Sequence, residues 1–183
     1  MIEDNLAKAT LAGGCFWCTE AVFQRLEGVK KVTSGFTGGE IKNPAYREII
    51  TGRTGHAEAI EIIFDPNVIS YEEILLVFFA THDPTTLNRQ QNDVGTQYRS
   101  GIFYHDEKQR QIAGEVIELL VKQKTFKDPI VTEVTQATPF YVAEKEHQDF
   151  YNHHRQQPYC QYIIDPKINK LKRLFSDKLK QTN

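Results

Sequence analysis

Three observations in the sequence predict an α+β fold. Runs of strand length that are apolar or alternating recur at residues 8–12, 28–36, 57–64 and 101–104. Runs with helical spacing lie between the first and second of these, and between the third and fourth. The order strand, helix, strand, strand, helix, strand is the ferredoxin-like βαββαβ pattern, here followed by a C-terminal helical and loop extension.

Residues 8–12 read as a short buried strand. Gly13 and Gly14 end it with a backbone free to turn sharply. From Glu20 to Leu26 the spacing is helical, with Val22, Phe23 and Leu26 on one face. The second strand, 28–36, stops at Gly38-Gly39. A polar loop over 40–56 holds Pro44, Tyr46, Arg47, Gly52 and Gly55, and loops of that length in compact domains are usually functional. In 57–64, Glu58, Ile60, Ile62 and Phe64 point one way and Ala59, Glu61 and Ile63 the other, until Asp65-Pro66 breaks the strand.

Ser70-Tyr71-Glu72-Glu73 is a capping-box pattern ahead of the apolar run from Ile74, which predicts a helix to about Thr81. A second long polar loop covers 83–97, and 101–104 is the fourth strand. Asp106 caps a helix over 107–124. Residues 131–134 predict a further strand, and a helix is expected from about Glu144 within the polar-rich 140–151. Pro158-Tyr159-Cys160 is expected in a mobile loop. Asp165-Pro166 opens a last amphipathic helix with Ile168, Leu171, Leu174, Phe175 and Leu179 facing inward. Residues 1–183 read as one domain, with disorder expected at 1–6 and 180–183.

Composition narrows the function. The 183 residues suffice to bury a sizeable core, and a net charge of -2 gives no electrostatic case for nucleic acid or an anionic membrane. The longest fully apolar run, 74–80, is far short of a membrane span. Met1-Ile2-Glu3-Asp4-Asn5 lacks the basic-then-apolar pattern of a secretory signal, so a cytoplasmic location is expected. In that compartment, three cysteines read as catalytic or redox groups and not as a disulfide scaffold. A monomer is expected.

The chemistry centres on Gly13-Gly14-Cys15-Phe16-Trp17-Cys18-Thr19-Glu20. Cys15 falls where a strand ends and a helix begins, where free amides and the helix dipole favour a thiolate of lowered pKa. Phe16 and Trp17 are large, flat and apolar, and predict a pocket beside the nucleophile. A buried structural cysteine, a CxxC redox pair or half a zinc site are the alternatives that the octapeptide alone leaves open.

The Gly-Cys-Phe-Trp-Cys-Thr-Glu stretch resembles the signature of the A-type peptide-methionine sulfoxide reductases. Further blocks resemble that family in its order: 34–39, Asn43-Pro44-Ala45-Tyr46, 51–58, Thr81-His82-Asp83-Pro84-Thr85, 92–100 and Pro158-Tyr159-Cys160. Enzymes of this type restore oxidised methionine. The resemblance implies Cys15 as the nucleophile and Glu58 as the acid that protonates the departing oxygen. It implies Tyr46 and Tyr98 as holders of that oxygen, Asp93 as the residue fixing the polar side of the site, and Phe16 and Trp17 as the seat of the S-methyl group. It further implies reduction of the S epimer of methionine sulfoxide, protein-bound or free. A Cys15 sulfenic acid would form, then an intramolecular disulfide that thioredoxin reduces, with no metal or organic cofactor.

Residue chemistry agrees for Glu58, whose apolar strand neighbours would raise its pKa, although an edge-strand surface acid fits the pattern too. The chain departs from the family in lacking a glycine-rich C-terminal tail with several cysteines. Cys160 stands alone there, and Cys18 is additional. Cys160 is the favoured resolving thiol and Cys18 the alternative, since a first-turn pair is close enough for a disulfide. A zinc module using Cys15, Cys18, Cys160 and His153 or His154, and a thioredoxin-type oxidoreductase, are the rival readings. His147, His153 and His154 are expected at the solvated surface, and His56 as a structural hydrogen-bond donor.

Overall fold

The computed structural model describes residues 5–181. One sheet of six strands carries the chain. Strands β1 (Ala7–Gly13), β2 (Val29–Thr37) and β3 (Ala57–Phe64) form its centre. A two-residue hairpin, β4 (Arg89–Gln90) and β5 (Asp93–Val94), stands apart. The main sheet is completed by β6 (Ser100–Tyr104), β7 (Glu133–Gln136) and β8 (Tyr141–Val142), giving the order β7-β6-β1-β3-β2-β8. The inner four, β6-β1-β3-β2, are all antiparallel, which is the ferredoxin-like arrangement. β7 extends it in parallel to β6 after a helical crossover.

The helices are α1 (Phe16–Phe23), α2 (Tyr46–Ile49), α3 (Tyr71–Thr81), α4 (Glu107–Lys122), α5 (Phe150–His153) and α6 (Asp165–Leu174). The Ser70 hydroxyl accepts from the Glu73 N–H at 3.1 Å, and the Asp106 carboxylate from the Gln109 N–H at 2.8 Å, so both predicted caps form. The core is apolar and aromatic, with Phe16, Phe23, Phe36, Phe64, Phe78, Leu11, Ile60 and Ile62 essentially inaccessible.

Four expectations are corrected. The first helix begins at Phe16 and not at Glu20, because Cys15 is its N-cap and the turn closes at once through a Cys18 N–H to Cys15 C=O bond of 3.0 Å. The helix expected from Glu144 is broken into a 3₁₀ turn and the short α5. Its continuity is lost at Gln148 and at Asp149, which adopts φ 56°. Long-range bonds hold this break: the Asp149 N–H donates to Glu20, and the Gln148 amide bridges the Ser34 backbone. Cys160 is not in a mobile loop. Pro158 starts a helical segment, Cys160–Ile164 is a π-helix, and α6 follows without a break. Leu174 is exposed because α6 ends there and Phe175 leaves helical geometry. Of the stretches expected to lack order, residues 1–4 and 182–183 lie outside the described residues. Leu179 pairs with Leu26, and the Lys180 N–H donates to Arg25 C=O at 2.8 Å.

The strand-to-helix turn depends on Gly14 at φ 92°, where a Cβ would come within 2.5 Å of the Gln90 side chain. The Gln90 amide is pinned at both ends to the Asp83 backbone, so it cannot swing away freely. Gly14→Ala is therefore expected to destabilise the fold by roughly 1–3 kcal/mol, read as a lowered urea midpoint at unchanged m.

Candidate active site

The site is assembled where β1 meets α1. Cys15 is the N-cap residue of α1 and is buried, keeping 8 % of its surface. Its thiol titrates together with that of Cys18, one turn on. Ala21, Tyr151, Cys160, Ile164 and Ile168 pack around both cysteines, so all three thiols share one buried cluster.

Glu58 lies on β3 opposite Phe36 of β2 and is 2 % exposed. Its Oε1 accepts the Phe16 N–H at 3.1 Å, which ties the acid to the first turn of α1. Burial pushes its carboxyl up to about 8; the Phe16 N–H opposes this, and negative charge at Asp93 and Cys18 adds to it. Glu58 is therefore mainly protonated at neutral pH. The expectation that the helix start lowers the Cys15 thiol is overturned. Burial holds it well above the usual range, followed by the neighbouring Cys18 thiol and the Glu58 charge, whereas the Cys15 thiol draws Cys18 down. Of the two, Cys18 is thus the thiol that ionises more readily.

Tyr46 opens α2, and Tyr98 ends a 3₁₀ turn over Thr96–Tyr98. Both phenols feel the charges of Glu58, Asp93 and Cys15. Burial, then those charges, pushes Tyr46 up to about 12 and Tyr98 higher. Asp93, on β5, accepts the Tyr159 hydroxyl proton at 2.9 Å, and the Tyr159 oxygen is 3.5 Å from the Cys18 sulfur. Trp17 is half-buried and stacks on Phe150 at 3.8 Å between ring centres, while Phe16 is fully buried against Phe36. Trp17 is thus the aromatic face with accessible surface, and Phe16 lies behind it.

A family model described as "Peptide methionine sulfoxide reductase" matches residues 7–179 of this chain. The chain belongs to the peptide methionine sulfoxide reductase family. It is 55 % identical over 172 residues to the peptide methionine sulfoxide reductase MsrA 1 of Rhodopirellula baltica, covering 94 % of this chain and 88 % of that one. Reduced Mxr1 from Saccharomyces cerevisiae is similar in structure, with a TM-score of 0.79 at 31 % identity over 86 % of this chain and 91 % of that one. Mxr1 in complex with Trx2 superposes with a TM-score of 0.56 at 25 % identity, covering 81 % and 86 %.

For a member of this reductase family, several neighbours of the site were not legible beforehand. His147 is buried and not solvated: its Nδ1 accepts the Trp17 indole N–H at 3.3 Å, and its ring lies 4.2 Å from that of Tyr46. It joins two residues 29 positions apart that only the fold brings together. Glu20 is also buried. It accepts from the Ser34 hydroxyl at 2.8 Å and from the Asp149 N–H, and so fixes the segment that sets Phe150 on Trp17. Burial pushes its carboxyl up to about 7.

His153 pairs with Asp149 at the surface and His154 bonds to the Phe150 carbonyl, so neither joins the thiols. No cluster of three or more His, Cys, Asp or Glu side chains suited to a metal occurs among the described residues. His56 accepts from the Gly39 N–H and donates to the Ile41 carbonyl at 2.6 Å, holding the 40–56 loop. No helix among the described residues is long and apolar enough to cross a membrane.

The raised Glu58 carboxyl has a stability consequence. Between the free carboxylate value and about 8 the folded state binds the extra proton, so stability falls as pH rises through that window. Urea unfolding from pH 5 to 8 is expected to show this fall, approaching about 1.4 kcal/mol per pH unit for one proton. Glu58→Gln should remove one proton's share of the slope and leave the part due to Glu20, which is raised as well.

Proposed function

We propose that this protein reduces the S epimer of methionine sulfoxide, in proteins and free, to methionine. The observation that carries this reading is the bond from the Phe16 N–H, next to Cys15, to the buried and mainly neutral carboxyl of Glu58, whose charge the Tyr46 and Tyr98 phenols both feel. Neither phenol has a protein hydrogen-bond partner among the described residues. A sulfoxide presents a polar oxygen and an apolar methyl group on one sulfur, and the site offers a donor side and an aromatic side. The Tyr46 and Tyr98 hydroxyls and the Glu58 O–H donate to the oxygen, and the methyl group sits on Trp17 with Phe16 behind it. Fixed seats for both leave one handedness at sulfur, and family membership supports the S epimer.

As the sulfoxide docks, the Cys15 proton passes to the neighbouring Cys18, whose thiol is drawn down, and the Cys15 thiolate attacks the sulfur. Glu58 protonates the oxygen. The oxygen is transferred to Cys15, whose sulfur loses two electrons to the methionine sulfur, leaving a sulfenic acid and methionine. A second thiol then condenses with the sulfenic acid, releasing water and forming a disulfide. Cys18, in the first turn of the helix that Cys15 opens and in the same buried cluster, is the thiol favoured for this step in place of Cys160. Cys160 is fully buried in its π turn and packs against the same pair, so it is placed to exchange with Cys18 afterwards. Thioredoxin returns the disulfide to dithiol, being itself oxidised. The Mxr1 complex with Trx2 supports such a partner. Asp93 accepts the hydrogen bond of the Tyr159 hydroxyl and so holds the Tyr159 oxygen beside Cys18. The reaction is placed in the cytoplasm, where a thioredoxin system operates.

Cys15→Ser is expected to abolish sulfoxide reduction in a thioredoxin-coupled assay with separated epimers, since a neutral hydroxyl cannot replace the sulfur nucleophile. Turnover near wild type in that variant, or equal use of the R epimer, would contradict the proposal. Glu58→Gln should slow single-turnover methionine release about 100-fold or more while leaving the fold intact. Unchanged release would remove Glu58 from the mechanism.

A further inference from the structure

The two phenols assigned to the sulfoxide oxygen stand on separate loops. Tyr46 opens α2 within the 40–56 loop, and Tyr98 ends the 3₁₀ turn Thr96–Tyr98. Two donors share one oxygen only if the loops that carry them keep their spacing to within about half an ångström. Tyr46 has its own long-range tether. Its N–H donates to the Glu144 carboxylate at 2.8 Å, and its ring lies 4.2 Å from that of His147. The Tyr98 N–H, by contrast, closes the local turn, on the Gly95 carbonyl at 3.0 Å.

Arg99 follows Tyr98 directly. Its side chain is 16 % exposed, and all three guanidinium nitrogens are hydrogen-bonded. Nη1 donates to the Thr96 carbonyl at 2.9 Å, at the start of the turn that carries Tyr98. Nη2 donates to the Gly55 carbonyl at 3.0 Å, at the end of the loop that carries Tyr46. Nε donates to the Glu133 carboxylate on β7 at 3.0 Å, an ion pair that fixes the plane of the group. Gly38, at φ 92°, leaves room for it, since a Cβ there would come within 2.8 Å of Nη2. A neutral bond between the same two loops runs from the Thr96 hydroxyl to the Gly52 carbonyl at 3.1 Å.

We propose that Arg99 is a positioning residue: its guanidinium joins the turn that carries Tyr98 to the loop that carries Tyr46, and so sets the spacing of the two phenols around the sulfoxide oxygen. A planar fork with donors on separate edges can bridge two carbonyls and a carboxylate at once. A lysine ammonium, a point charge on a flexible stem, cannot. The bonds are charge-assisted, and so about twice as strong as the neutral bond from Thr96. Loss of the bridge falls on Tyr98, because Tyr46 keeps its bond to Glu144. Glu58, three residues beyond Gly55, is held separately by the sheet, opposite Phe36. The role at the oxygen rests on the reductase reading; the bridge between the loops does not, and it is tested separately.

The test is single-turnover methionine release by Arg99→Lys in two backgrounds, Tyr46→Phe and Tyr98→Phe. Complete loss of a donor aimed at a reacting oxygen costs about a hundredfold or more, so a displaced donor should cost about tenfold. With Tyr46 replaced, Tyr98 is the remaining phenol, and Arg99→Lys should slow release about tenfold further. With Tyr98 replaced, Arg99→Lys should cost less than about twofold. Equal slowing in both backgrounds would overturn the proposal and leave Arg99 a general support of the fold. Hydrogen exchange in the intact reduced protein, read by mass spectrometry, tests the bridge without substrate. Amides of 96–99 should exchange about tenfold faster in Arg99→Lys, and those of α2 should stay within about twofold. Unchanged exchange at 96–99 would overturn the bridge. If Arg99→Lys does not fold, Glu133→Ala releases one edge of the guanidinium and should show the same asymmetry between backgrounds at about threefold, with equal slowing again overturning the proposal. Absence of release in the wild type would count against the reductase reading instead, and the exchange result would then decide the bridge.

Discussion

The bond from the Phe16 N–H to Glu58 joins the first turn of α1 to the middle of the sheet, and so sets a buried carboxyl beside a buried pair of thiols. Three acids in one apolar pocket cannot all ionise, because each charge raises the cost of the next. The pocket keeps Glu58 mainly neutral, holds Cys15 up and draws Cys18 down. A neutral acid and a thiolate side by side are what an oxygen transfer from sulfoxide to cysteine requires. Reversing the two protons would leave a carboxylate repelling the nucleophile and no donor for the oxygen.

The same constraint explains the surrounding architecture. Aromatic packing by Phe16, Phe36 and Trp17 keeps water from the carboxyl, and the Tyr46 and Tyr98 phenols stay protonated in the same low-dielectric setting. His147 and Phe150 hold Trp17 from two sides, and Glu20 anchors the segment from which they come. The C-terminal extension therefore completes a site whose reacting groups come from the ferredoxin-like core and its loops.

Much of this was legible in the sequence where the signal is local. The alternation at 57–64 gave both the strand and the inward face of Glu58, and Ser70 and Asp106 announced their helices through caps that need only three residues. The stretch 140–164 was not legible, because its conformation is decided by distant partners. Glu20, Ser34 and Tyr46 bind Asp149, Gln148 and Glu144 across about a hundred residues of chain. No local pattern distinguishes a π turn at Cys160 from a loop. The direction of the Cys15 thiol was missed for a related reason: a helix start favours thiolate, but burial with a second thiol and a carboxyl outweighs the dipole.

The central claim is that Glu58 is a neutral acid at working pH. Infrared difference spectroscopy between wild type and Glu58→Gln, recorded across a pH titration of the reduced protein, reads this directly from the carbonyl stretch of a protonated carboxyl. The band should be present at neutral pH and disappear with a midpoint near 8. A Glu58 carboxyl already ionised at about pH 6, with no such band at neutral pH, would contradict the account.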